Sequence, residues 1–214
     1  VLVVLMGVAN TPVDTDTSPA SSPEGRKMLA FAMIGVLAIC CGWIFRQQKG
    51  YYEGYKKWNT LKMLYNSKAY EAAGEGYEEL VPLMGHKPEL LFEAAQCLNR
   101  TERYAEANRL LYRAMKLSGD PMIRYIAAKN EQSMGNYQKA ENLLLHAIDM
   151  LPERIYPYYL LTKLYSEPGF FQKDKFLKAA NAVLEKEPKV KSTAIREMRT
   201  EVKKMLNNIR QDRN

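Results

Sequence analysis

Side chains able to do chemistry are few in this sequence, and their spacing suits none of the common reactions. The 214 residues hold two histidines, His86 and His146, and three cysteines, Cys40, Cys41 and Cys97. His86 lies in the short segment Gly85-His86-Lys87-Pro88, and His146 precedes Ala147 far along the chain. A general base needs a partner within hydrogen-bond reach, and a nucleophile needs that base beside it. No Ser/His/Asp arrangement, phosphate-cradling glycine loop or metal-ligand spacing supplies either. Cys40 and Cys41 are adjacent within an apolar run, and Cys97 reads as a small core residue. The expectation is therefore no catalytic residue, no metal ligand and no cofactor. What does recur is a pairing of aromatic and polar or basic side chains. Trp58, Phe92, Tyr125 and Tyr159 form one series, and Lys62, Gln96, Lys129 and Lys163 follow four residues later. Four-residue spacing puts both series on one face of successive helices.

The elements that must position these residues repeat as well. Tyr104, Ala107, Leu111 and Ala114 return as Tyr137, Ala140, Leu144 and Ala147, shifted by 33, and Tyr70, Ala73, Tyr77 and Leu80 form an earlier copy shifted by 34. The sharpest copy is Gly135-Asn136-Tyr137, then Ala140, Leu144, Ala147 and Ile148, closing at Pro152. This pattern resembles the second half of a tetratricopeptide repeat, a helical hairpin of 34 residues. Gly135-Asn136 supplies a turn where positive φ is needed, and Ala107 and Ala140 let paired helices approach. Pro121 can open a first helix and Pro152 can end a second. One hairpin cannot cover its own apolar face, so neighbours must stack.

The fold class expected is all-α, with a transmembrane helix followed by a right-handed α-solenoid of about four hairpins and a C-terminal capping helix. Repeats are placed near 54–87, 88–121, 121–154 and 155–188, within a solenoid over residues 50–190. The fourth departs from the pattern: Ser166-Glu167-Pro168-Gly169-Phe170 lengthens its turn, and Phe176, Ala180 and Val183 restore register about two residues late. Residues 191–214 read as an amphipathic basic cap, with Ile195, Met198, Val202, Met205 and Ile209 on its apolar face. In such a solenoid the first helices line the concave side. The eight paired residues then become a groove for a protein or peptide partner, either an extended peptide or an acidic segment. A role confined to packing competes with that reading. Aromatics occupy the places where a chaperone-type carboxylate clamp needs lysine, and Glu93 stands where it needs asparagine.

The N-terminal quarter has a different character. Residues 28 to 45 carry no charge, and 18 helical residues rise about 27 Å against a hydrocarbon core of about 30 Å. Arg26 and Lys27 precede the run, Arg46 and Lys49 follow it, and Trp43 sits at its end. A transmembrane helix over 28–46 is expected, with membrane contact through it. Residues 1–9 read as the end of a preceding span and 10–27 as a polar loop. The Lys/Arg bias beyond the span puts the repeat domain in the cytoplasm. The formal charge of +7 is concentrated in the terminal segment from Lys186 onward. It reads as a solvated basic face, with anionic lipid as second choice and nucleic acid disfavoured.

Two further segments carry a narrower resemblance. Pro152-Glu153-Arg154-Ile155-Tyr156-Pro157-Tyr158-Tyr159-Leu160-Leu161 with Leu164-Tyr165, and Val190-Lys191-Ser192-Thr193-Ala194-Ile195-Arg196-Glu197-Met198-Arg199, are similar to the repeat-containing tail of bacterial O-antigen ligase-family membrane proteins. The preceding pair of apolar runs is similar too. The resemblance implies a polytopic inner-membrane glycosyltransferase acting on polyprenyl-linked glycan, in envelope polysaccharide (lipopolysaccharide) biosynthesis. Its functional Arg and His residues would lie in an upstream loop that no residue here matches, leaving this region as a docking module. The competing expectation is a non-enzymatic, membrane-tethered adaptor for complex assembly or quality control.

Overall fold

The computed structural model describes residues 23–188, 190 and 192–211. The expected end of a preceding span at 1–9, most of the loop at 10–27 and the last residues of the tail lie outside these. The chain divides into a unit ending at Gly50 and a second from Tyr51 onward. The first helix, α1 (Pro23–Asn66), supplies residues to each. It begins at Pro23, so residues 23–27 are already helical. Within the first unit it is long and apolar enough to cross a membrane by length and composition. Phe31, Leu37, Trp43 and Phe45 all point into open space there.

In the second unit, every regular element among the described residues is helical. The end of α1 pairs with α2 (Tyr70–Met84). Then come α3 (Pro88–Arg100) with α4 (Tyr104–Leu117), α5 (Pro121–Ser133) with α6 (Tyr137–Met150), and α7 (Ile155–Tyr165) with α8 (Lys173–Glu185). The last helix, α9 (Thr193–Gln211), packs on α7 and α8. From α2 to α8 each helix touches the next in chain order, as the 33- and 34-residue periodicity requires.

Local sequence sets the helix limits. Pro88 and Pro121 each occupy a first-turn position where the missing N–H has no partner to lose, and Asp120 caps α5 by accepting from Met122 N at 2.8 Å. Helix α6 stops at Met150, Leu151 leaves helical geometry at φ −139° and ψ 74°, and Pro152 follows. Three of the hairpin turns share one geometry. Lys68, Glu102 and Gly135 all take the left-handed conformation, at φ 66°, 60° and 75°. At each turn this residue's N–H bonds the carbonyl three back, and the next residue's bonds the carbonyl five back: Ala69 to Leu64, Arg103 to Leu98 and Asn136 to Glu131, at 2.8–3.0 Å. That is a Schellman ending in each repeat, and only the third uses glycine. The fourth turn is longer, as the sequence suggests. A 3₁₀ turn at Pro168–Phe170 stacks Phe170 on Tyr137 and Tyr165.

Ala73, Ala107, Ala140 and Ala180 are fully buried, as close helix contacts demand. Between the second and third hairpins lies a polar knot. Glu131 accepts from Asn108 (2.8 Å), Tyr112 (2.6 Å) and Asn136 (2.8 Å), while Asn130 donates to Asn108 at 2.8 Å. One repeat on, Glu141 accepts from Tyr165, Lys175 and Gln138, each at 2.7 Å. On α9, Val202 is fully buried, with Ile195, Met198, Met205 and Ile209 half-buried around it. Arg199, which the sequence groups with the basic face, instead donates to the carbonyls of Val183 (3.1 Å) and Lys186 (2.5 Å) at the end of α8.

Candidate docking groove on the first helices

The two series of paired residues do fall along the first helices, but their surroundings differ from repeat to repeat. In the first, Trp58 is buried and its indole N–H donates to Glu93 Oε2 at 2.6 Å. Lys62 lies 3.3 Å from Glu93 Oε1 and 4.7 Å above the Trp58 ring. The Tyr77 hydroxyl donates to the same carboxylate at 2.8 Å. Burial, then the adjacent Glu93 charge, pushes the Cys97 thiol up to about 11 and the Tyr77 hydroxyl well above its ordinary value. Glu93 comes from α3, so the first helix of the next hairpin satisfies the first aromatic–lysine pair.

The last repeat repeats this arrangement with a different donor of charge. The Tyr159 hydroxyl donates to Glu201 Oε2 at 2.5 Å, and Lys163 stands 3.3 Å from Glu201 Oε1 and 5.5 Å from the Tyr159 ring centroid. The Tyr159 hydrogen bond, with Lys163 alongside, holds the Glu201 carboxyl below the usual range against a modest opposing effect of burial. Glu201 belongs to α9. The capping helix therefore covers the end of the stack and also engages this pair.

The two middle repeats are built otherwise. Phe92 is half-buried, and Gln96 accepts from the Tyr65 hydroxyl at 3.0 Å. Tyr125 is only 4% exposed and meets Tyr156 edge-on at 5.2 Å, so its ring fills the contact between two hairpins. Its hydroxyl is shielded from water without a hydrogen-bond partner, and burial raises its pKa. Lys129 is exposed. A cavity of about 290 Å³ opens beside it, walled by Tyr65, Gln96, Asn99, Arg100, Ile126 and Ser133 among others. The series anticipated Gln96 and Lys129 there but omitted Asn99 and Arg100. Both lie three or four residues past Gln96, so extending the same helical face by one turn finds them. A smaller cavity of about 250 Å³ adjoins Lys62, Tyr65 and Gln96.

The histidines lie elsewhere. His86 is exposed with its ring edge-on to Tyr51 at 6.0 Å, and His146 is exposed on α6. Among the described residues no three His, Cys, Asp or Glu side chains gather to hold a metal.

No protein-family model and no curated protein matches the chain. Solved structures do. A MamA protein aligns at 23% identity with a TM-score of 0.55, over 59% of this chain and 69% of its own. A MamA fragment from Desulfovibrio magneticus RS-1 aligns at 16% identity and 0.58, over 74% and 93%. YrrB, described as a TPR protein with an unusual peptide-binding site, aligns at 18% and 0.51, over 61% and 66%. The fold is the tetratricopeptide type. At these identities the likeness speaks for architecture alone, and the site rests on this chain's own geometry.

Proposed function

We propose that this chain is a protein-docking module whose first-helix face binds an extended polypeptide segment, and that α1 tethers it to a membrane. One observation carries the docking reading. Side chains of α1, α3, α4 and α5 converge on an open polar cavity that includes Lys129 and Arg100. YrrB, with the same architecture, is described as having a peptide-binding site, which supports the choice of ligand class. The tether is supported by an uncharged stretch from 28 to 45 whose apolar side chains are exposed.

The finer reading makes this the tail of an O-antigen ligase-type glycosyltransferase, with catalysis and polyprenyl-linked glycan confined to a preceding region. It rests on the resemblance of segments 152–161 and 190–199 and belongs with an inner-membrane location and a cytoplasmic repeat domain. The adaptor reading needs no such parent. Reading the gene upstream of Val1 separates them: further spans and a long Arg/His-bearing loop favour the ligase, and a nearby start codon favours the adaptor.

Docking itself is tested by photo-crosslinking in cells. A photoreactive residue at Phe92 or Gln96 should trap a discrete partner, while one at the exposed Lys116 or Asp149 on second helices should not. Identical adducts from all four sites, or none from the first two, would overturn the docking reading.

A further inference from the structure

Resting on that docking reading, we infer that the segment it binds is acidic, with one carboxylate seated between Lys129 and Arg100. The stack completes its other groove lysines from within. Lys62 receives Glu93 from the first helix of the next hairpin, and Lys163 receives Glu201 from the capping helix. Each of these carboxylates also accepts from the aromatic partner of its lysine, Trp58 or Tyr159. The chain thus shows twice that a lysine in this column is completed by a carboxylate laid across it.

Lys129 breaks the series. Glu93 follows Lys62 by 31 residues, and the residue that follows Lys129 by the same interval is Leu160. An apolar side chain stands where the first interface carries its acid, and Leu160 is spent on the core between hairpins. No carboxylate among the described residues forms an ion pair with Lys129 or with Arg100. Both cations line the same cavity.

A second feature of that cavity selects a peptide over a simple anion. Asn99 is part of its wall, and its Oδ1 is shielded from water with no hydrogen-bond donor. A buried acceptor left unpaired is costly, so it favours an occupant that donates. Chloride or sulfate has no donor to offer, whereas an extended backbone offers an N–H at each non-proline residue. Rotation of the Asn99 amide about χ2 presents its oxygen to such an N–H while the adjacent side chain reaches Lys129. Lys62 and Lys163 at the two ends are already paired with Glu93 and Glu201, which leaves the acidic residue to the middle repeats.

The test uses the full chain in detergent micelles and two pools of capped nonapeptides with random flanks. One pool has Asp or Glu at the centre and the other has Asn or Gln. Fluorescence anisotropy should give about tenfold tighter binding for the acidic pool, the value of one hydrogen-bonded charge pair. Lys129→Gln should erase that preference, and Lys129→Glu should transfer it to a pool with central Lys. Lys163→Gln should leave it intact, because Glu201 already fills that place. Equal binding of both pools, or a preference that survives Lys129→Gln, would overturn the acidic assignment while leaving docking in place. Binding of neither pool alongside a discrete crosslinked partner would do the same, and absence of both would remove the docking reading as well.

Discussion

The three left-handed turns allow a prediction whose sign differs between equivalent sites. Lys68, Glu102 and Gly135 hold the same place in successive hairpins, at φ of 66°, 60° and 75°, with the same pair of backbone bonds. An L-residue pays about 1–2 kcal/mol to sit in this conformation, because its Cβ crowds the following carbonyl. Glycine escapes that cost but gives up about 0.5–1 kcal/mol of extra chain entropy on folding. Both Lys68 and Glu102 are exposed, and neither side chain bonds another among the described residues, so replacing them loses little packing. Lys68→Gly and Glu102→Gly should each stabilise by about 0.5–1 kcal/mol. Gly135→Ala should destabilise by about the same amount or somewhat more, although a Cβ there meets open space. For a unit running from Tyr51 to the end of the chain, each kcal/mol moves the melting temperature by about 2–4 °C. Circular dichroism melts of the full chain in mild detergent should therefore show two upward shifts and one downward. If Glu102→Gly lowered the melting temperature as Gly135→Ala does, the turn geometry would not be what limits these positions.

Other expectations concern the buried polar knots. Asn108→Ala should cost about 2–3 kcal/mol, since it strips one donor from Glu131 and the acceptor from Asn130 inside the stack. A urea midpoint within error of wild type would contradict this. Burial alone would raise the Glu131 and Glu141 carboxyls. The donors around them outweigh it: Tyr112, Asn108 and Asn136 for Glu131, and Lys175, Tyr165 and Gln138 for Glu141. Both carboxyls sit below the ordinary 4.5. The unfolded chain then binds more protons than the folded one in acid. Their stabilisation is complete above the ordinary value and lost as pH falls through the lower folded values. Urea midpoints should hold steady from about pH 7 to 5 and drop toward about pH 3, less steeply in a Glu141→Gln variant. Ala140→Arg should unfold the third hairpin, because a charged chain would have to enter a contact where the methyl is fully buried. A native melt of that variant would refute the stacking.

What the sequence disclosed tracks how local each cause is. The stack was legible because Ala107, Leu111 and Ala114 recur as Ala140, Leu144 and Ala147, and each is buried against a neighbouring hairpin. Pro88 and Pro121 likewise announce helix starts through their own missing N–H. The turns at Lys68 and Glu102 gave no such sign, since an ordinary side chain there hides the conformation that Gly135 advertises. Groove occupancy was less legible still. Trp58 meets Glu93 from 35 residues away and Tyr159 meets Glu201 from 42. Pairings of that range depend on how helices lie across one another, which side-chain periodicity does not encode. Tyr125 shows the same limit: it shares the register of Trp58 and Tyr159, yet Tyr156 of the next hairpin meets its ring edge-on.

These irregularities answer a difficulty that regular repeats create. Apolar columns spaced by 33 or 34 residues would allow a hairpin to pack on the wrong neighbour with little loss of buried area. Each interface here carries different side chains at one shared place. Asn108 faces Glu131 between the second and third hairpins, and the equivalent residues one repeat on are Glu141 and Tyr165. In the first interface they are Gly74 and Leu98. Shifting the stack by one repeat would set Glu131 against Gly74 or Glu141, leaving a buried carboxylate with Asn136 of its own hairpin in place of three donors, or beside another carboxylate. A slipped arrangement therefore costs several kcal/mol in desolvated charge even where its apolar contacts survive. The same order gives Lys129 a leucine, Leu160, at the interval where Lys62 has Glu93, and leaves its carboxylate to be supplied from outside the chain.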